Sequence, residues 1–167
     1  MKIYIPLDSA AKSIGAEDVA RAFINADPDL TIIRNGSYGL FWLEPLVEIE
    51  RDGRRLAFGP VCPEDVPGLL NEKFPEEHRL CLGPTAEIPE LKMQDRLTFA
   101  RCGVTDPVCI DDYKAHGGFE GLRNVLLMEK EKVIDDLKTS GLRGRGGAAF
   151  PTGIKWDTVM RAESDQK

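Results

Sequence analysis

Apolar and polar positions in the first part of the chain follow two different periods. The segment KIYIP, residues 2–6, alternates with a period of two and is rich in β-branched residues, so it predicts a strand. Residues 15–26 carry apolar side chains three and four positions apart, and Glu17 and Asp18 stand in their first turn. This spacing predicts an amphipathic helix. Residues 30–34, LTIIR, predict a second strand.

The next apolar segments predict a β-hairpin and another helix. Residues 46–51 and 54–58 flank Asp52-Gly53, a pair typical of a tight hairpin turn. Pro63 then opens a helix, as proline does at a first helical position. The order β-α-β-β-β-α predicts a small α/β domain. The apolar face of its last helix would carry Val66, Leu69, Leu70 and Phe74.

The character of the sequence changes after residue 75. Residues 75–90 contain three prolines and no sustained periodicity, which is typical of a linker or a peripheral strap. Residues 119–128 and 129–141 are helical in pattern, and Gly141 is placed to end the second helix. We expect a last helix after Thr152, whose hydroxyl would cap it.

Composition and charge exclude some classes of partner. The 167 residues are 42% hydrophobic and 30% charged, with a net charge of −6, which argues against nucleic acid or an anionic membrane as the main partner. Residues 143–161 are locally basic, and this suits a small anionic ligand. No apolar run is long enough to span a bilayer, and residues 1–15 do not resemble a secretory signal. We therefore predict a cytoplasmic protein without membrane insertion.

The cysteines and histidines do not predict a metal site. Neither zinc nor ferredoxin ligand spacing is present, and His78 and His116 stand apart from each other and from any thiol. We predict free thiols, no metal ligands and no catalytic residues in this chain. The cysteines are Cys62, Cys81, Cys102 and Cys109.

The run SGLRGRGGAAFPTGIKWD, residues 140–157, is the segment most suited to a ligand. Its glycines expose backbone N–H groups that a phosphate or a flat ring can approach, and Lys155 adds a positive charge. Gly144-x-Gly146-x-x-Ala149 fits the loose dinucleotide fingerprint, but that fingerprint follows a strand and this run follows a predicted helix. The run also lacks the Gly-Lys-Ser/Thr of a P-loop, and its single RGRGG lacks the repeats of an RNA-binding box.

The same run resembles the signature of the NADH-binding flavoprotein subunit of respiratory NADH dehydrogenases and their relatives. The resemblance extends over residues 91–167 and implies the incomplete start of an FMN- and NADH-binding α/β domain. It places the loop between FMN and the nicotinamide nucleotide, with Ala149 in place of the usual glycine. The implied cofactor-binding residues are Gly144, Arg145, Gly146, Gly147, Ala148, Ala149, Phe150, Pro151, Thr152, Gly153 and Lys155.

The first 75 residues resemble a thioredoxin-like 2Fe–2S ferredoxin, chiefly through RNGSYGLFWLEPLVEIERDG. In that family four cysteines hold the cluster. The four positions fall here on Pro6, Ala11, Ser37 and Phe41, none of which is a cysteine. We therefore expect a thioredoxin-like domain without its cluster, with Phe41 and Trp42 filling the space that the cluster would occupy.

The two resemblances together imply three regions and a function. Residues 1–75 would form the thioredoxin-like domain, 76–90 a linker and 91–167 the truncated flavin domain. This fusion resembles the β (diaphorase) subunit of NAD-dependent formate dehydrogenase, which transfers electrons between NAD(H), FMN and iron–sulfur clusters. The resemblance implies two partner subunits, a γ subunit with a 2Fe–2S thioredoxin-like domain and a catalytic α subunit. It also implies a 4Fe–4S cluster beyond Lys167.

Three other functions stay open at this point. One is the diaphorase subunit of an NAD-reducing hydrogenase, and another is the flavoprotein subunit of a respiratory NADH dehydrogenase. The third, of another class, is a thioredoxin-like module that assembles subunits without catalysis. We expect the 167-residue chain alone to be inactive and to bind FMN weakly or not at all.

Overall fold

A computed structural model describes residues 1–71 and 75–164. The chain forms two compact units, residues 1–116 and a second that begins at Gly117. The first unit contains one sheet with helices around it. Its strands are β1 (Lys2–Tyr4), β2 (Thr31–Ile33), β3 (Val47–Arg51), β4 (Arg54–Phe58) and β5 (Cys81–Pro84). Its helices are α1 (Ser9–Ser13), α2 (Ala16–Ala26), α3 (Val66–Asn71), α4 (Pro89–Lys92) and α5 (Ile110–Ala115).

The sheet has the strand order β2-β1-β3-β4-β5. β1 pairs in parallel with β2, and the other neighbours are antiparallel, with Ile3 opposite Ile49 and Ile49 opposite Leu56. A parallel β-α-β unit joined to an antiparallel hairpin in one sheet confirms the predicted α/β class. It is consistent with a thioredoxin-like domain.

The main core lies on one face of the sheet. Because side chains alternate across a strand, Ile3, Ile49 and Leu56 lie on the same face and meet the apolar stripe of α2. Val19 and Phe23 of that helix are fully buried, as the helical spacing predicts. Leu69 of α3 completes this core.

The other face of the sheet is also covered. Ala57 of β4 packs in a second apolar cluster with Ile88, which lies between the short turn Thr85–Glu87 and α4, and with Leu91 of α4. Glu48 of β3 lies opposite Ala57 on this face and is fully buried. A carboxylate therefore lies inside the first unit.

The predicted hairpin turn is confirmed. Asp52 and Gly53 join β3 to β4, and both have positive φ, 50° and 73°. Two central residues with positive φ match the right-handed twist of the strands, which is why Asp-Gly is favoured there.

The segment expected to be a linker or a strap contributes to the sheet. Cys81–Pro84 forms the edge strand β5, which pairs with β4. Its sequence, CLGP, does not alternate, so the strand depends on hydrogen bonds from β4 rather than on a pattern of its own. The predicted start of a flavin domain at residue 91 stays a prediction. Phe74, placed on the helix after Pro63, lies outside the described residues.

Within residues 117–164 of the second unit, the helices are α6 (Glu120–Val125), α7 (Lys130–Thr139) and α8 (Thr152–Arg161). The predicted break near Glu129 is confirmed, because Glu129 is the extended residue before α7. Gly141 lies just beyond the end of α7 with φ 65°, the left-handed conformation that glycine adopts at no steric cost. In the described part of the chain, no helix combines the length and the apolar character needed to cross a membrane.

Candidate functional site

The glycine-rich run forms a closed loop between α7 and α8. Two backbone hydrogen bonds hold its stem, Thr152 N to Leu142 O at 2.9 Å and Gly144 N to Phe150 O at 2.9 Å. Arg143 pairs with Pro151 in a β-bridge, and its Nε donates to Ala149 O at 2.7 Å. The loop is therefore ordered by its own backbone.

A helix precedes this loop, as predicted. α7 ends at Thr139, two residues before Gly141, so the glycines do not follow a strand. The strand-turn-helix context of a dinucleotide fingerprint is therefore missing. Ala149, in place of the usual glycine, has φ 44°, a conformation that glycine adopts more readily.

The tip of the loop is open. A Cβ built on Gly146 or on Gly147 would meet no heavy atom within 4 Å. Arg145 is exposed beside them, and its guanidinium makes no hydrogen bond or ion pair with the described residues. Open backbone next to a guanidinium suits an anion or a flat ring.

The start of α8 differs from the prediction in one respect. Thr152 is the first residue of the helix rather than its cap, so the predicted capping by its hydroxyl is wrong. Pro151 holds the cap position and offers no side-chain hydrogen bond, because it has no polar side-chain atom. Lys155 lies in the first turn of α8 and is exposed. The N–H of Thr152, the first of α8, donates instead to Leu142 O in the stem of the loop.

Ion pairs neutralise the acid on α8. Asp157 Oδ2 accepts from Lys138 Nζ at 3.0 Å and Oδ1 from Arg161 Nε at 2.9 Å. The hydrogen bond from Arg161, followed by that from Lys138, lowers the pKa of Asp157 below its ordinary value. Both carboxylate oxygens of Asp157 are therefore engaged by Lys138 and Arg161.

All eleven predicted cofactor-binding residues lie on this loop or in the first turn of α8. The structure brings Gly144, Arg145, Gly146 and Gly147 together at the tip and Phe150 at the stem, where the ring is exposed. Gly153 is different, because it is buried against Lys138 of α7. Gly153 therefore has a packing role here.

Ser37 and Ala11, at two of the positions that carry cysteine ligands in the cluster-binding family, make other contacts in this structure. Ser37 Oγ donates to Glu44 Oε1 at 2.5 Å, and the Ser37 N–H donates to Asp8 Oδ2 at 2.7 Å. Burial raises the pKa of Glu44, against the lowering effect of the Ser37 hydroxyl. Ala11 is buried in α1. These residues do not fit a 2Fe–2S cluster, which needs four thiolate or imidazole ligands.

The expectation that Phe41 and Trp42 fill the space of the lost cluster is wrong. Both form an exposed turn, Phe41–Leu43, and their exposed fractions are 63% and 62%. A cleft of about 500 Å³ lies beside Ser37 and Phe41, with Cys102 in its lining. One thiol does not hold a cluster, and no group of three potential metal ligands occurs among the described residues.

One cluster of polar residues was not predicted from the sequence. Glu48 alternates with Val47 and Ile49, a pattern that normally places a carboxylate in solvent. It is instead buried among Asn35, Tyr38 and Thr85. No local signal marks this burial, because the covering residues are distant in sequence.

Comparisons with known proteins find relatives for part of the chain, while no family model matches it. The chain is 54% identical over 76 residues to the NADP-reducing hydrogenase subunit HndC of Solidesulfovibrio fructosivorans. It is 50% identical over 54 residues to the F subunit of the NADH-quinone oxidoreductase of Streptomyces coelicolor. It is 41% identical over 59 residues to the F subunit of the Escherichia coli enzyme. These matches cover 46%, 32% and 35% of this chain.

The chain spans only a small part of these relatives, 16% of HndC and 12% and 13% of the two F subunits. Among solved structures, the wild-type thioredoxin-like [2Fe–2S] ferredoxin from Aquifex aeolicus is similar to part of this chain. The match covers 49% of this chain and 95% of the ferredoxin chain, with 21% sequence identity and a TM-score of 0.40. The relatives in sequence are thus subunits of oxidoreductase complexes.

Proposed function

We propose that the chain is part of an NADH-binding flavoprotein subunit and that its glycine-rich loop forms one wall of the site for FMN and NAD(H). The observation that carries the proposal is the open tip of the loop, where Gly146 and Gly147 leave space beside Arg145. The similarity to HndC and to the F subunits supports it.

The residues of the loop fit a nucleotide in size and charge. The bare backbone at Gly146 and Gly147 allows a flat ring or a phosphate to approach more closely than any side chain would permit. Arg145 and Lys155 would meet phosphate or ribose oxygens, and Phe150 would stack near the adenine. Bound FMN would supply the hydride and electron chemistry, while the residues of this chain position and orient it.

Exposed apolar side chains of the second unit also support the proposal. Among its described residues, Ile134 is the only large apolar side chain that is buried. Leu126 and Leu127 are 74% and 89% exposed, and Ile154 and Trp156 are about half exposed. A unit this small does not bury enough apolar surface alone. This supports a role as one part of a larger domain.

The proposal also concerns the kind of oxidoreductase complex to which the chain belongs. An NADP-reducing hydrogenase subunit and NADH-quinone oxidoreductase subunits are among the relatives, which favours the hydrogenase and NADH dehydrogenase alternatives. The assignment to formate dehydrogenase, with its γ and α subunits, stays a prediction from the fusion of the two regions. The 4Fe–4S cluster expected beyond Lys167 and the cytoplasmic location stay predictions as well.

The proposal can be tested in a chimera. The region of the Escherichia coli F subunit that matches this chain is replaced by the corresponding residues of this chain, and NADH oxidation is measured in the assembled complex. We expect oxidation to be retained. Arg145→Gln or Lys155→Gln in the chimera should raise the KM for NADH about tenfold, because a charge-assisted hydrogen bond is lost.

The matched control is Lys132→Gln. Lys132 lies on α7 and pairs with Asp136, away from the loop, so this variant should leave the KM unchanged. A chimera that assembles but does not oxidise NADH, or equal effects of Lys132→Gln and Lys155→Gln, would contradict the proposal. The isolated chain should show no dye reduction and no stoichiometric flavin.

A further inference from the structure

A second cleft lies in the first unit, on the face of the sheet opposite the main core. Its volume is about 740 Å³, and its lining comes from the hairpin turn, the turn Thr85–Glu87, α4 and residues 96–104. This volume is in the range of small-molecule sites in proteins, about 300–1,000 Å³. The cleft is independent of the glycine-rich loop and of the function proposed for it.

A buried carboxylate organises the floor of the cleft. Glu48 is 1% exposed and accepts hydrogen bonds from Thr85 Oγ1 at 2.8 Å, Asn35 Nδ2 at 3.1 Å and Tyr38 Oη at 3.2 Å. Burial, followed by the charge of Glu48, raises the pKa of Tyr38, so its hydroxyl keeps its proton and donates. Such a carboxylate is tolerated because its oxygens are satisfied. Glu48 therefore holds its neighbours in place.

Arg55 is positioned by this network. Its Nη1 lies 3.5 Å from Glu48 Oε2, and its guanidinium carbon lies 3.6 Å above the centre of the Tyr4 ring. The side chain is about one quarter exposed and lines the cleft. A guanidinium has five N–H donors, and this arrangement uses few of them. Arg55 is thus a pre-oriented cation with donors left for an anion.

A second guanidinium and apolar side chains complete the walls. Arg96 donates from Nη2 to the carbonyl oxygens of Phe99 and Cys102, which fixes it over the Tyr38 ring at 5.1 Å. Leu91 and Val104 line the cleft nearby. Glu87 also lines it, but its carboxylate pairs with Lys92.

The close approach of residues 101–105 to Tyr38 depends on glycine at position 103. A Cβ on Gly103 would lie 2.2 Å from the Tyr38 ring, and Gly103 has φ 77°, so both space and conformation require glycine. Gly103 O accepts from Asn35 Nδ2 at 2.7 Å. The segment that carries Val104 is therefore held to the floor of the cleft.

We propose that this cleft binds a small organic anion, whose carboxylate or phosphate is held by Arg55 and Arg96 and whose apolar body packs on Leu91 and Val104. Guanidinium groups recognise both anions by paired N–H donors. An inorganic anion would leave the apolar walls in water, so the body of the ligand contributes to affinity.

The test is a titration of the full chain by ¹H–¹⁵N NMR with phenyl phosphate and, in a parallel arm, benzoate. We expect saturable shifts of the amides of Arg55, Ala86, Leu91 and Val104 with at least one probe. The arm that binds identifies the anion. Inorganic phosphate lacks the apolar body and phenol lacks the anion. Each should therefore bind at least about tenfold more weakly than the probe that binds.

Two variants at the rim form a matched pair. Ala86 is exposed and lines the cleft, so neither variant disturbs the Glu48 network. Ala86→Glu should weaken the binding of the anion about tenfold by repulsion, while Ala86→Gln, of equal size, should preserve it. Arg55→Lys keeps the positive charge but loses the paired N–H donors of the guanidinium, so it should weaken binding of the anion severalfold.

Three outcomes would overturn the proposal. The first is the absence of saturable shifts at these amides with both probes. The second is an equal loss of affinity in Ala86→Glu and Ala86→Gln. The third is binding of inorganic phosphate as tight as that of phenyl phosphate. Arg51→Gln, on the same hairpin but outside the cleft lining, checks that a change of net charge alone has no effect.

Discussion

At the scale of single residues, the two glutamates of β3 have opposite surroundings. Glu48 is buried, and burial raises its pKa against the lowering effects of Thr85 and Arg55. Glu50, two positions later on the same face, is more accessible to solvent, and the Tyr4 hydroxyl and Lys2 lower its pKa. Two carboxylates on one strand should therefore affect stability with opposite dependence on pH.

We predict how Glu48→Gln changes the pH dependence of unfolding. A raised pKa means that the folded state binds the proton more tightly, so the contribution of Glu48 to stability is largest at low pH and falls as the pH rises. The unfolding free energy of the wild type, relative to Glu48→Gln, should decrease as the pH rises above the ordinary pKa of a glutamate, about 4.3. Urea unfolding at several pH values measures this difference.

Glu50→Gln is the control with the opposite sign. The lowered pKa of Glu50 gives stability that is present above the ordinary pKa and lost as the pH falls. The wild type should therefore lose stability relative to Glu50→Gln only below about pH 5. An advantage of the wild type over Glu48→Gln that grows with pH would contradict the assignment of the Glu48 surroundings.

At the scale of elements, α7 and α8 are held together at one glycine. A Cβ on Gly153 would lie 2.8 Å from Lys138 N and 2.9 Å from Lys138 Cα, which are backbone atoms that cannot move aside. The Lys138–Asp157 ion pair lies at the same contact. This close approach fixes where α8 begins and hence how the loop closes.

We expect Gly153→Ala to destabilise the second unit by about 1–3 kcal/mol, the usual cost of overpacking. Alanine is the better helix former, so a loss of stability would isolate the steric effect. Urea unfolding is followed by the fluorescence of Trp156 on α8, in a Trp42→Phe background that removes the other tryptophan.

Gly146→Ala is the matched control at the tip of the same loop. No heavy atom lies within 4 Å of its added Cβ, so the change should stay within about 0.5 kcal/mol. Equal stability of the Gly153→Ala and Gly146→Ala variants would refute the close contact between the helices.

At the scale of the whole molecule, the two units differ in how well they bury their apolar residues. The first unit has an extended core on one face of the sheet and a smaller cluster on the other. The second unit leaves Leu126 and Leu127 in solvent, after the end of α6. These two adjacent leucines leave apolar surface exposed, which the core of the first unit does not.

The double variant Leu126→Ser, Leu127→Ser should lower the binding of the dye ANS to the chain without loss of stability. Because both side chains are exposed, we expect the unfolding free energy to change by no more than about 0.5 kcal/mol. Arg123→Ser, at an exposed position of α6, should leave dye fluorescence unchanged. Undiminished fluorescence of the double variant would show that the dye reports on another surface.

Local patterns in the sequence determined the longer elements. Alternation of apolar residues predicted β1, β-branched residues predicted β2, Asp52-Gly53 predicted the hairpin, and Gly141 predicted the end of α7. Each of these signals depends on backbone preferences within a few residues. The glycine-rich loop and the lack of cysteines at Pro6, Ala11, Ser37 and Phe41 can also be read directly from the chain. Whether the loop holds FMN and NAD(H) stays a proposal.

Contacts between distant residues decided the rest. Glu48 is buried, β5 forms inside the expected linker, and Phe41 and Trp42 are exposed. Each outcome depends on which segment covers a given face of the sheet, and no periodicity within a strand records what packs above it. The sequence alone thus determined the strands β1 to β4, the helices α2, α3, α6, α7 and α8, and the glycine-rich loop. The tertiary structure decided where the edge strand β5 and the short helices form, which polar groups are buried and where the clefts lie.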